Sequence, residues 1–149
     1  MKTIILLLLL VVSATTYAQE TAPPAKGDNA ILVRTSLTDE DAYEMIRVRL
    51  QELGYPFQEN KAALTITTGN VPVDNKPSYQ VATVITVSQG TITLSGKLTT
   101  LFEGTPATFP IQYTKANSSM YRYGFRALED LGKSLENSLA GGLMAYSKY

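Results

Sequence analysis

Residues Tyr79 to Leu101, YQVATVITVSQGTITLSGKLTTL, constrain the fold more than any other stretch. In the first arm Tyr79, Val81, Ile85 and Val87 are apolar at alternate positions, interrupted by Thr83. In the second arm Ile92, Leu94 and Leu98 are apolar at alternate positions. Successive side chains of a strand point to opposite faces, so each arm has one core face and one wet face. If Gln89-Gly90 is a two-residue turn, Val87 faces Ile92, Ile85 faces Leu94, Thr83 faces Gly96 and Val81 faces Leu98. A slip of one residue would turn the apolar set to solvent, so this register is strongly specified. Gly90 supplies the positive φ that a primed hairpin turn requires.

Two amphipathic helices accompany the hairpin. Thr38 to Leu53 opens on an N-cap threonine with Asp41 three residues on, a variant of the capping box. Asp39, Glu40 and Asp41 complement the positive end of the helix dipole, which accounts for this acidic cluster without a metal or acid–base role. Ala42, Ile46, Leu50 and Leu53 form the core stripe, with Tyr43 beside it. Gly54 stands where a left-handed cap is wanted, and Pro56 prevents the helix from resuming. The second helix starts near Asn117-Ser118-Ser119 and carries the stripe Tyr121, Phe125, Leu128, Leu131, Leu135, Leu139 and Leu143. Gly124 and Gly132 lower its helix propensity and suit a close approach to the sheet. Gly141-Gly142 ends or kinks it, leaving Leu143 to Tyr149 as a tail or last turn.

The other elements are shorter. Ala30 to Thr35 is a first strand, and Phe57 to Thr68 contains a second, with Leu64 and Ile66 on one face. Gly69 to Ser78 reads as a loop longer than a usual hairpin connection. Phe102 to Pro106 is a turn. Ala107 to Tyr113 alternates Phe109, Ile111 and Tyr113, and Pro110 makes it an edge strand or arm. The order β-α-β-β-β-(β)-α implies an α+β two-layer sandwich. We expect a mixed, mostly antiparallel sheet of four or five strands with both helices on one face. The other face would carry Thr65, Thr67, Thr86, Thr91, Thr93 and Thr99.

The first eighteen residues have the form of a secretory signal: Lys2, the aliphatic run Ile4 to Val12, and a small-residue region ending at Ala18. The run is too short for a spanning helix of about 20 residues, and no cysteine near the cut could carry a lipid. Residues 19–29 read as a flexible leader and 30–149 as one domain. Taking Lys2 from 13 basic residues leaves the mature chain near −1 against its 13 acidic ones, so nothing favours nucleic acid. The absence of cysteine suits a bacterial periplasmic or surface protein better than a small animal secreted domain. Histidine is also absent, which removes the usual general base and the commonest metal ligand. Lys133-Ser134 point about 100° apart on a helix, a poor dyad. No carboxylate pair stands out, so no catalytic residue, cofactor or metal is implied.

The element order is similar to that of small bacterial envelope proteins such as the lipopolysaccharide-assembly lipoprotein, which plugs an outer-membrane barrel. The resemblance is one of topology over most of the mature chain, without a shared motif or the lipid-bearing cysteine.

The expected function is that of an exported, non-catalytic envelope protein that binds a partner protein. Contact residues are expected at Asp74, Asn75 and Lys76 in the loop, and at Phe109 and Tyr113 on an edge strand able to accept a partner strand. Tyr121 and Tyr123, at the start of the last helix, support an alternative in which a cleft against the sheet carries a small apolar or aromatic ligand. Tyrosines at a core margin with the hydroxyl in water would account for the same residues. A hydrolase ranks below both readings.

Overall fold

The computed structural model describes residues 22–73, 76–116, 119–139 and 141–149. The expected signal segment, Asp74, Asn75, Asn117 and Ser118 lie outside the described residues. Eight strands and two helices are described, in the order β1 (Ala30–Arg34), α1 (Asp39–Glu52), β2 (Phe57–Asn60), β3 (Thr65–Thr68), β4 (Val71–Val73), β5 (Lys76–Ser88), β6 (Thr91–Phe102), β7 (Thr105–Pro110), α2 (Met120–Ser138) and β8 (Leu143–Ser147). The fold is α+β, with one antiparallel sheet and two helices.

The β5–β6 hairpin is the centre of the sheet, and its register is the one the alternation predicts. Val87 pairs with Ile92, Ile85 with Leu94, Thr83 with Gly96 and Val81 with Leu98. Gln89 and Gly90 both have positive φ, 52° and 69°, which is the type I′ pattern. The turn is tied to the rest of the molecule. The Asp39 carboxylate accepts from the N–H of Gln89 and of Gly90, each at 2.8 Å. The Gly90 carbonyl accepts from Thr35 N–H at 2.9 Å. Asp39 thus serves the hairpin turn as well as the helix dipole.

The sheet runs β2-β3-β5-β6-β1-β8, with β4 continuing the β3 side of β5 and β7 the β1 side of β6. Every described pairing is antiparallel, and the strand number exceeds the expected four or five. Following the alternation across the sheet, β1 and β2 run parallel, but β6, β5 and β3 lie between them.

Three readings are corrected here. Phe57 to Thr68 is a hairpin rather than one strand. Asn60 accepts from Ala63 N–H to close a short 3-10 turn, and Leu64 then adopts a left-handed φ of 47°. Gly69 to Ser78 is mostly strand: β4 and the start of β5 pair here across a register shift at Pro72/Val73. The C-terminal stretch is β8, pairing with β1 from Arg34↔Leu143 to Ala30↔Ser147. Leu143 therefore leaves the helix stripe, and Leu53, at the helix C-cap, is exposed as well.

Both helices cover one face. The core joins Ala42, Tyr43, Ile46 and Leu50 of α1 and Phe125, Leu128, Leu131 and Leu135 of α2 to the inward residues of the strands. Glycines set the spacing. A Cβ on Gly132 would stand 2.8 Å from Ile31 Cγ2, and one on Gly124 would stand 3.0 Å from Ile111 Cγ1. Gly96 is tighter, because a Cβ there would meet the Ala82 carbonyl oxygen at 2.6 Å. Among the described residues, no helix is long and apolar enough to cross a membrane.

The N-terminal approach to β1 is anchored before Ala30. Gly27 N–H donates to Tyr113 O, Tyr113 N–H donates back to Asp28 O, and Asn29 N–H donates to Ser147 O.

Gly96→Ala should cost about 2–3 kcal/mol in urea unfolding, because its new methyl meets backbone that cannot yield locally. Gly54→Ala meets nothing within 4 Å and has only its φ of +72° to oppose it, so about 1 kcal/mol is expected. Equal costs would show that space around Gly96 is not limiting. Asp39→Ala should cost about 1–2 kcal/mol through the two lost turn bonds, and amide exchange of Gln89 and Gly90 should speed up first.

Candidate functional site

The aromatic residues of the N-terminal half of α2 divide between two flanks. Tyr123 stacks on Tyr79 of β5 with ring centroids 5.4 Å apart. Tyr121 meets Phe109 of β7 edge to face at 6.4 Å. Tyr113 packs on Phe125 at 5.3 Å, and the Arg122 guanidinium lies 4.5 Å from the Tyr113 ring centroid. Phe109, Tyr113 and Tyr121 therefore close the margin of the core between β7 and α2. Each of these half-buried rings has a packing partner, as the core-margin account expects.

Tyr123 and Lys76 do come together. Lys76 Nζ lies 5.5 Å from the Tyr123 ring centroid. Both line a cleft of about 320 Å³ between the β4–β5 hairpin and α2. Val71, Pro72 and Val73 form one wall; Tyr123, Arg126, Ala127 and Asp130 form the other; Val81, Thr83 and Leu131 form the floor. Tyr55, just past α1, closes one end. The loop and the helix start, singled out separately in the sequence, are thus the two sides of one groove. Arg126 was missed. The signal was its spacing, since Tyr123, Arg126 and Asp130 recur at three and four residues along one helical flank.

The strand edges are less receptive than the sequence suggests. In β7 the two-residue turn Glu103-Gly104 makes Phe102↔Thr105 the hydrogen-bonded closing pair. Alternation then turns the nitrogens of Pro106, Thr108 and Pro110 to the free edge. Two of these three have no N–H, which blunts the edge against an added strand. At β8 the Met144 N–H is already taken by the Glu136 carboxylate at 2.9 Å.

The sheet face opposite the helices is uncovered among the described residues. Thr65, Thr86 and Thr93 stand side by side on three neighbouring strands, as the registers show. Thr67, Thr91 and Thr99 share this face, with Thr99 3.1 Å from Thr108 hydroxyl to hydroxyl. Arg34 and Lys97 are the charged residues at its outward strand positions. At the tip of the β6–β7 hairpin Leu101 is 63 % exposed and Phe102 55 % exposed. Leu101 pairs with Pro106 on the outward face. It breaks the alternation of the second arm, and that departure was the available sequence signal. A second apolar patch, formed by Leu37, Met45 and Val48, lies beside Asp41 and Glu44 of α1.

Two tyrosine hydroxyls bond to carboxylates. Tyr146 donates to Glu129 at 2.6 Å, and Tyr43 donates to Glu59 at 3.2 Å. Burial, then the carboxylate, raises both hydroxyls above the ordinary tyrosine pKa, Tyr146 well above it. Among the described residues, no three acidic side chains gather where a metal ion could be held. The chain matches no protein-family model, and no significant relative is found among the curated proteins.

A tyrosine raised in the folded state stays protonated where the unfolded chain ionises. Its contribution to stability is therefore full below about pH 10 and is lost as the pH rises above that value. Tyr146→Phe should remove a late-titrating phenol from the ultraviolet titration and flatten the alkaline loss of stability. A titration in which every tyrosine ionises together near pH 10 would contradict the Glu129 and Glu59 bonds.

Proposed function

We propose that the chain is an exported, non-catalytic envelope protein that binds a partner protein through the uncovered face of its sheet and the tip of the β6–β7 hairpin. The observation that carries this reading is the contiguous exposure of Leu101 and Phe102 beside Pro106, on a face poor in charge. Singly scattered exposed apolar residues are normal, but adjacent ones on a projecting turn are a recognised feature of contact sites. Leu101 is outward, whereas Phe102 has the inward parity of Leu98 and Thr100 and is nevertheless exposed. The tip thus offers apolar surface on both sides. The threonine rows supply hydroxyls that can bond to a partner or to bridging water, as wet interfaces do.

Export is supported by the sequence of residues 1–18, whose charged, aliphatic and small-residue regions follow in the order of a secretory signal. A non-catalytic role is supported by the lack of histidine and cysteine and by the poor dyad geometry of Lys133 and Ser134, adjacent on a helix. The proline-blunted β7 edge favours docking on the face over strand addition.

A photo-crosslinking residue placed at Leu101 or Thr99 should give one reproducible protein adduct in the native envelope. The same probe at Gln51, on the helical side, should not give it. Phe102→Ser combined with Leu101→Ser should remove the adduct obtained at Thr99 and leave the melting temperature within a few degrees, since both side chains are exposed. Identical adducts from both sides, or none from the sheet face, would defeat the proposal.

A further inference from the structure

The cleft between β4–β5 and α2 is a separate surface on the helical side of the sheet. We infer that it binds a carboxylate carried on an aromatic or branched apolar body. Such a group can come from a free small acid or from the C-terminus of a polypeptide.

The charge is the first observation. Lys76 and Arg126 both line the cleft, and among its described lining residues they stand with one acid, Asp130. Among the described residues neither Lys76 nor Arg126 forms an ion pair. Lys76 is instead placed against the Tyr123 ring, 5.5 Å from its centroid. A cation held by a ring keeps its capacity for an anion, because the ring quadrupole does not neutralise it. Arg126 adds the planar fork that matches a carboxylate in two parallel bonds.

The second observation is the floor. Val81 and Leu131, 4 % and 3 % exposed, line the cleft together with Tyr55 and Tyr123. Cations and apolar side chains in one cleft fit a ligand with a charged end and an apolar body. The third is size. About 320 Å³ is at the lower end of ligand pockets, which run from about 300 to 1,000 Å³, so the body is one ring or one branched side chain rather than a lipid tail. This site does not rest on the sheet-face reading, and either can fail alone.

The test is a titration of isotope-labelled protein followed by amide NMR. The probes are N-acetylphenylalanine, its amide, and the peptide Gly-Ser-Gly-Phe with a free C-terminus, each up to about 10 mM, an order above a weak Kd of about 1 mM. At least one free acid should shift the amides of Val73, Thr83, Arg126 and Ala127, while the neutral amide binds at least about tenfold more weakly. Arg126→Gln and Lys76→Gln should each weaken the acid by about five- to tenfold without changing the spectrum of the unliganded core. Binding of N-acetylphenylalanine alone would assign a free small acid, and binding of the peptide alone would assign a polypeptide terminus. The inference is overturned if neither acid shifts the cleft, if acid and amide bind equally, or if both glutamine variants bind the acid as tightly as the parent.

Discussion

The structure depends on the clamp at the β5–β6 turn. Strands of 13 and 12 residues cross the whole sheet, and a long hairpin of this kind is useful only if its register and direction are held. The type I′ turn sets the register. Asp39 then bonds both turn N–H groups, and Thr35 bonds the Gly90 carbonyl, so the turn is fastened to the β1–α1 connection. A side chain at Gly90 would press on the same contact, with a Cβ 3.2 Å from Thr35 O. One carboxylate thereby links the central hairpin, the neighbouring strand and the first turn of the helix. These elements are about fifty residues apart in sequence, as the separations of 50 and 51 for the two Asp39 bonds show.

From that hairpin the molecule becomes one-sided. Gly96, Gly124 and Gly132 let α2 come down onto the sheet, where side chains would otherwise hold it away. The helical side therefore buries the inward residues of the strands, and among the described residues the other side has no second layer. A two-layer sandwich must leave one sheet face to solvent or to a partner, and its composition shows how that exposure is tolerated: threonine on β-strands combines high strand propensity with a polar hydroxyl. Two of the sheet's edges are guarded by different means, prolines on β7 and a helix carboxylate on β8.

The exposed tip of β6 and the groove beside α2 differ physically. The tip is apolar and projects, so it suits insertion into a partner. The groove is concave, with Lys76 and Arg126 among its lining residues. Lys76 and Tyr123 were legible as candidates because a long polar stretch and a tyrosine-rich helix start are unusual in a chain of this size. That they face one another was not legible, because the contact depends on the register shift between β4 and β5. Phe109, Tyr113 and Tyr121 show the converse. Their residue types suggested contact, and the structure packs them against Tyr121, Phe125 and Phe109 respectively.

The sequence by itself determined what is local or strictly periodic: the α+β class, the pairing of Tyr79–Leu101, the Thr38 cap, the Gly54 stop and the threonine face. These follow from side-chain alternation, helical spacing and backbone stereochemistry, which act within a few residues of one another. Only the tertiary structure decided the eight-strand sheet, the hairpin hidden in Phe57–Thr68, the strand at Leu143–Ser147 and the second role of Asp39. Short segments carry too few apolar residues to declare a period, and they become strands because a neighbour presents an unpaired edge. That neighbour is the long hairpin for β3, β4 and β7, β3 for β2, and β1 for β8, brought alongside by the collapse of the core, and no local pattern encodes its arrival.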